Sequence, residues 1–392
     1  MKTSRSIAAG SLVVFALTGC AGGSEPAKSA LPPGSAGEPI TRPATTVPEG
    51  GPSASATGAS SSRIPKKITL GRTLATKLDV PWGVTFLADG SALVSERPSG
   101  DVVRISRTGK KTAVGTVPGV SDDGEGGLLG LATKPSAKPT RAQPVNVWAY
   151  VHSTRGDNRV VRMSFDGSRL SRPKAVLTGI PASSIHNGGA LKIGPDNKLW
   201  IGTGDGAQTS NAQDRKNLGG KILRVNGDGT VPDDNPFRDS PVYSMGHRNV
   251  QGIAFDSKKR PWAAEFGQDT WDELNRILPG KNYGWPVVEG KKTKAGFVSP
   301  KVQWHTDVAS PSGLAIVDDV AYLGALRGER LWAVPLKDKS AGTPKSFFRG
   351  RFGRIRSVAA APGGNLWITT SNTDGRGDPG RLDDRVLRVD LK

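Results

Sequence analysis

A unit of three short strands recurs six times along this chain, and that repetition limits the fold more than any other feature. Each copy opens on a strand with small residues near its start and turns on Gly, Asp or Asn. A second strand ends in polar residues, and a third often carries Arg. The copies fall at 83–86, 92–96 and 101–105, then 130–132, 147–152 and 159–163, then 190–193, 199–203 and 221–225. They continue at 252–255, 262–266 and 272–277, at 313–316, 320–323 and 330–335, and at 357–359, 366–370 and 385–389. Successive copies start 44 to 62 residues apart, the length of a three- or four-stranded sheet with loops of variable size. Small residues in the first strand suit the crowded axis of a ring of sheets. The repeat predicts an all-β fold, a six-bladed β-propeller over residues 68–392. Two stacked β-sandwiches compete, but sandwiches require no such register. Composition agrees: 51 Gly, 29 Pro and only 35% hydrophobic residues argue against helical bundles and multi-span membrane proteins.

Residues 1–19 read as an export signal. Lys2 and Arg5 precede a short apolar run from Ile7 to Leu17, and Leu17-Thr18-Gly19-Cys20 closes it like the lipobox of a bacterial lipoprotein. Cys20 is the one cysteine of the chain, so no intramolecular disulfide can form, and it stands where lipidation requires it. Residues 20–67 read as a tether, because 34 of the 42 residues from 21 to 62 are Gly, Pro, Ser, Ala or Thr. The expectation is an exported protein held by a lipid anchor on the outer face of the bacterial cell membrane. With 54 Lys+Arg against 35 Asp+Glu the formal charge is +19, yet the basic residues are scattered and export leads away from nucleic acid. An anionic envelope or an anionic cofactor suits the charge better.

Metalloprotease, dithiol, Walker A and G-x-S-x-G patterns are absent from the sequence. Gly202-Thr203-Gly204-Asp205-Gly206 lacks the spacing of a dinucleotide loop. What remains is polar residues at equivalent places in different repeats. His186, Arg248, Asn249, Gln251, Arg354 and Arg356 lie at or just before the first strands, and Asp205 follows a second strand. In a propeller these places share one mouth of the central channel. A His beside several Arg describes a proton acceptor in a pocket for an anionic ligand. Each residue alone is equally consistent with an ordinary loop position. His152, His247 and His305 read as structural or surface residues, and Trp200, Trp262, Trp332 and Trp367 as packing between blades.

At these residues the chain resembles the soluble pyrroloquinoline quinone (PQQ)-dependent glucose/sorbosone dehydrogenase family, in particular its shorter aldose sugar dehydrogenases. The resemblance spans about residues 80–391 and rests on motifs in order. They begin with Pro81-Trp82-Gly83, Gly124-Glu125-Gly126-Gly127-Leu128-Leu129-Gly130 and His186-Asn187-Gly188-Gly189 with Gly194-Pro195-Asp196. Gly220-Lys221-Ile222-Leu223-Arg224, Asp234-Asn235-Pro236-Phe237, Gly246-His247-Arg248-Asn249 and Gln251-Gly252 follow. Glu265-Phe266-Gly267, Asp272-Glu273, Asn282-Tyr283-Gly284-Trp285-Pro286 and Pro311-Ser312-Gly313 complete the set. The resemblance implies that His186 takes the proton of a sugar C1 hydroxyl, that Asp205 orients its imidazole, and that Arg248 stands by the reacting quinone oxygen. It implies Asn249, Gln251, Arg354 and Arg356 as further PQQ ligands, with Arg327 where some members carry Lys. It places backbone carbonyls of Gly267 and Gln268 on a Ca²⁺ ion, and Asp272, Glu273 and Tyr283 at a second, structural calcium site.

Two departures stand out. Glu125 replaces a cofactor-binding Gln, and a carboxylate beside a tri-acid cofactor weakens binding unless Arg327 or another cation pairs with it. Gln268 replaces a Pro. The long insertions of the best-known glucose dehydrogenases are missing, which implies a more open substrate mouth. The resulting expectation is an enzyme that oxidises aldoses to lactones with PQQ and Ca²⁺ and passes electrons to an acceptor the sequence does not identify. Two alternatives are a non-catalytic propeller that binds carbohydrate or envelope polymer, and a calcium-dependent lactone hydrolase.

Overall fold

The computed structural model describes residues 62–134 and 138–392. Cys20, the export signal and most of the tether lie outside them. Among the described residues there is no α-helix, only a short 3-10 turn at Thr209–Ala212, and no helix long and apolar enough to cross a membrane.

Six four-stranded antiparallel sheets form, each with neighbouring strands hydrogen-bonded in order. Blades 1 to 5 are each built from consecutive strands, with innermost strands Pro81–Phe86, Leu128–Thr133, Gly188–Ile193, Val250–Phe255 and Pro311–Val317. Blade 6 differs. Its inner three strands are Ile355–Ala360, Leu366–Thr370 and Val386–Leu391, and its outermost is the first strand of the domain, Ile68–Ala75. Ile68 pairs with Leu391 and Leu70 with Val389, so the two ends of the domain complete one sheet.

Each repeat carries a fourth, outer strand that the three-strand unit lacks. Some of these strands are short or exposed: only Val114 is buried in Lys111–Thr116, and Lys345–Phe347 has just 3 residues. Strands such as these two carry no apolar period and leave no pattern to read.

The hydrophobic core is divided into six clusters, one between each pair of adjacent blades. Leu93 and Val102 of blade 1 pack with Val147 and Phe165 of blade 2, and so on around the ring to Trp367 of blade 6 against Phe86 and Val94 of blade 1. Trp200, Trp262, Trp332 and Trp367 all sit in or against these seams, as inter-blade packing requires. At the axis the small residues are needed. A Cβ on Gly130 would lie 2.2 Å from the carbonyl oxygen of Gly189 in the next blade.

Candidate active site

Because neighbouring strands run antiparallel, the start of each innermost strand and the end of the second strand meet at the same mouth of the ring. The residues placed there converge on a cavity of about 740 Å³. Its lining includes Glu125, His186, Arg248, Asn249, Gln251, Gly267, Gln268, Asp272, Arg327, Arg354 and Arg356.

His186 and Asp205 are brought together by hairpin register. Gly188 pairs with Thr203, and continuing that register two residues past the sheet sets His186 opposite Asp205. His186 Nδ1 lies 2.8 Å from Asp205 Oδ1, and Arg248 Nη2 lies 2.7 Å from His186 Nε2. The carboxylate only accepts and the guanidinium only donates, so the imidazole is neutral with its proton on Nδ1 and a lone pair on Nε2. Asp205 is fully buried; its Oδ1 also accepts the Ala207 N–H at 2.9 Å and its Oδ2 the Trp285 Nε1–H at 2.8 Å. Trp285 also stacks on the Arg248 guanidinium, 5.4 Å from its ring centre.

The opposite wall is cationic. Arg356 Nη1 donates to Gln251 Oε1 at 2.8 Å, while Asp374 Oδ2 lies 3.1 Å from Arg354 Nη2 and 3.7 Å from Arg356 Nη2. Burial opposes the charge of Asp374, but the two guanidiniums outweigh it and hold its carboxyl below the usual range. Burial pushes Arg356 and Arg248 down. Four donors bordering this space are buried without a partner: Nε of Arg97, Arg248 and Arg356, and Nδ2 of Asn249, whose Oδ1 accepts the Gly188 N–H at 2.9 Å.

Glu125 is paired, and its cation is Arg376 rather than Arg327. Arg376 Nη1 lies 2.8 Å from Glu125 Oε1, and Glu125 Oε2 accepts the backbone N–H of His186 at 3.1 Å. Burial disfavours this charge, yet the hydrogen bonds from Arg376 and His186 hold the carboxyl below its ordinary range.

The residues expected at calcium divide. Gly267 and Gln268 line the cavity, their N–H groups tied back to Asp272 Oδ1 (3.0 Å) and Glu289 Oε1 (2.9 Å). Asp272 also lines it; burial pushes its carboxyl up to about 6, against the N–H groups of Ser310 and Gly267. Glu273 and Tyr283, which the resemblance assigns with Asp272 to a separate calcium site, do not line the cavity. Glu273 is buried, accepting from Asn275 Nδ2 (2.9 Å) and the Gly290 N–H (2.8 Å), and burial together with the Glu265 charge pushes it up. The Tyr283 ring stacks on His247, and its hydroxyl donates to the Arg276 carbonyl at 2.6 Å. No group of three His, Cys, Asp or Glu side chains suited to a metal occurs among the described residues.

Sequence reasoning missed Arg97, Asp374, Arg376 and Trp285. Arg97 and Asp374 lie in the loops that follow the second strands of blades 1 and 6, as Asp205 does in blade 3, and that approximate equivalence was the available signal.

The glucose/sorbosone dehydrogenase family profile matches residues 78–382. The PQQ-bound aldose sugar dehydrogenase of Streptomyces coelicolor is 50% identical, with a TM-score of 0.80 over 84% of this chain and all of that one. Aldose sugar dehydrogenase YliI of Escherichia coli is 28% identical over 77% of this chain and 90% of its own. Quinoprotein glucose dehydrogenase B of Acinetobacter calcoaceticus is 31% identical over 61% of this chain and 56% of its own.

Proposed function

Because this chain belongs to the glucose/sorbosone dehydrogenase family, we propose that it is a PQQ-dependent dehydrogenase that oxidises aldoses at C1 to lactones. One observation carries the reading: a neutral His186 with its lone pair on the cavity side, backed by Asp205, faces a wall of arginines.

The residues fit a quinone bearing three carboxylates. The unpartnered donors of Arg97, Arg248, Arg356 and Asn249 need acceptors, and a polyanionic ligand supplies them. A cavity of about 740 Å³ is within the range of cofactor sites. Gln251, Arg354 and Arg356 would hold the carboxylates. For calcium the supporting donors are backbone oxygens of the Gly267–Gln268 turn, hard ligands of the right kind.

Bound here, PQQ supplies a two-electron acceptor for the hydride that leaves C1. The work of this chain is on the proton. His186 Nε2 takes it from the C1 hydroxyl, and Arg248, which covers that lone pair at 2.7 Å, must yield to the hydroxyl first. Asp205 fixes the ring and sets a negative charge 2.8 Å from the nitrogen that becomes part of a cation. The positive charge of Arg248 favours negative charge growing in the cavity.

Calorimetric titration of PQQ into the purified protein, with and without Ca²⁺, and dye-linked turnover of aldoses test the reading. Calcium-dependent one-to-one binding and lactone formation that is lost in His186→Ala are expected. Full activity in His186→Ala would refute it, and quinone-independent glycan binding without turnover would replace it by a carbohydrate-binding propeller. We propose in addition that Cys20 carries a lipid that anchors the exported protein. Membrane fractionation of Cys20→Ser tests this, with release from the membrane expected.

A further inference from the structure

His186 occupies an uncommon backbone conformation, φ +57°, that its surroundings help to hold. Three contacts do so. The Gly206 N–H donates to its carbonyl at 3.2 Å, Asp205 holds its ring, and Glu125 Oε2 accepts its N–H at 3.1 Å. Gly206 and Asp205 belong to the hairpin that carries His186. Glu125 comes from a different part of the ring, the segment leading into blade 2.

That segment is clamped. Arg97 Nη1 donates to the carbonyls of Gly124 (2.7 Å) and Gly126 (2.8 Å), and the Glu125 N–H donates to Ser184 O at 2.7 Å. Beyond it, Arg376 in the last loop of blade 6 holds the second carboxylate oxygen at 2.8 Å. Both oxygens of Glu125 are thus spent on protein donors. A carboxylate so engaged does not behave as a free charge repelling an anionic cofactor.

We propose that Glu125 is a positioning residue for His186, locking the backbone of the proton acceptor to the rim formed by blades 1 and 6. Its importance for turnover rests on the reading of His186 given above; its structural part does not. The chain has 4 histidines, so protein labelled with ¹⁵N-histidine shows four backbone amide signals, and loss of one in His186→Gln assigns it. An amide donating to a carboxylate resonates downfield. In quinone-free protein, Glu125→Ala is expected to move the His186 amide upfield while the other three hold. Arg376→Ala, at a half-exposed side chain, moves it the same way by less.

In the PQQ-loaded protein, Glu125→Ala lowers kcat about ten- to a hundredfold, the scale of a misplaced catalytic group, with KM and quinone Kd within about threefold. Glu125→Gln keeps an oxygen for the His186 N–H and recovers at least about half of that loss on a logarithmic scale. An unmoved His186 amide in both Glu125→Ala and Arg376→Ala overturns the proposal. So does tighter quinone binding in Glu125→Ala at unchanged kcat, which would make Glu125 a repelling charge. If the amide shifts but no variant, wild type included, oxidises an aldose, the positioning stands and the dehydrogenase reading falls.

Discussion

Replacing Asp205 by Asn tests the core of the site with little change in shape. The carboxylate accepts three hydrogen bonds at zero exposure: His186 Nδ1–H and Ala207 N–H on Oδ1, and Trp285 Nε1–H on Oδ2. An amide has one oxygen. Placed at Oδ1 it keeps His186 and Ala207 but turns its NH₂ against the Trp285 N–H, and the reverse placement strands two donors instead. The better choice leaves one buried donor unmet, so stability falls by about 1–3 kcal/mol. The larger effect is on turnover. The lost negative charge stood beside the imidazolium that forms on proton transfer, worth about 3–4 kcal/mol at an effective dielectric of 20. At about 1.4 kcal/mol per decade, kcat should fall on the order of 10²–10³-fold. Asp205 does not line the cavity, so quinone Kd stays within about threefold. Dye-linked kinetics at saturating PQQ and calorimetry measure the two quantities. Turnover within about tenfold of wild type at normal quinone affinity would refute the base-and-orienter argument.

Arg356→Ala removes a buried guanidinium from the cavity wall, and PQQ affinity should weaken about ten- to a hundredfold, less so at high salt. Gly204→Ala puts a Cβ 1.7 Å from His186 O, so the His186–Asp205 pair should separate; activity disappears and the melting temperature drops. Lys221 is buried with Nζ on the carbonyls of Asn211 (2.6 Å), Ala212 (3.1 Å) and Gly219 (2.6 Å), and burial pushes its pKa down to about 8 from 10.5. Between those values the unfolded chain keeps a proton that the folded one has released, so this group adds stability as pH rises, up to about 1.4 kcal/mol per pH unit. Urea titrations from pH 7 to 10 should show wild type gaining on Lys221→Met across that window; a constant difference would contradict the assignment.

The blades could be read because their inner three strands are buried on both faces and interrupted by Gly and Asp turns. The outer strands could not, since Lys111–Thr116 or Lys345–Phe347 meets mostly water and needs no apolar pattern. Closure by Ile68–Ala75 was hidden for another reason: a strand's partner is not encoded near it. The same holds at the site. His186, Arg248 and Arg356 betray themselves by equivalent places in different repeats. Arg376 is one basic residue among 54 and meets Glu125 across 251 positions, so the pairing of Glu125 emerges only in three dimensions. Glu273 and Tyr283 show the same limit. Asp272 and Glu273 are adjacent and both buried, yet Asp272 lines the cavity while Glu273 hydrogen-bonds to Asn275 and Gly290 and Tyr283 stacks on His247, a division that sequence adjacency does not reveal.

The joining of the first and last strands also governs when this domain can come into being. Lys67 and Lys392 exchange backbone hydrogen bonds, each at 2.8 Å, so the start of the domain must wait for its far end. Until residues 386–391 leave the ribosome, Ile68–Ala75 has no ladder partner and the seam between blades 6 and 1 stays open. The entropy of closing so long a loop adds only slowly with length, but none of it is recovered before the final strand arrives. Until then the domain cannot close, and Ile68–Ala75 stands as an unpaired edge open to the wrong partner.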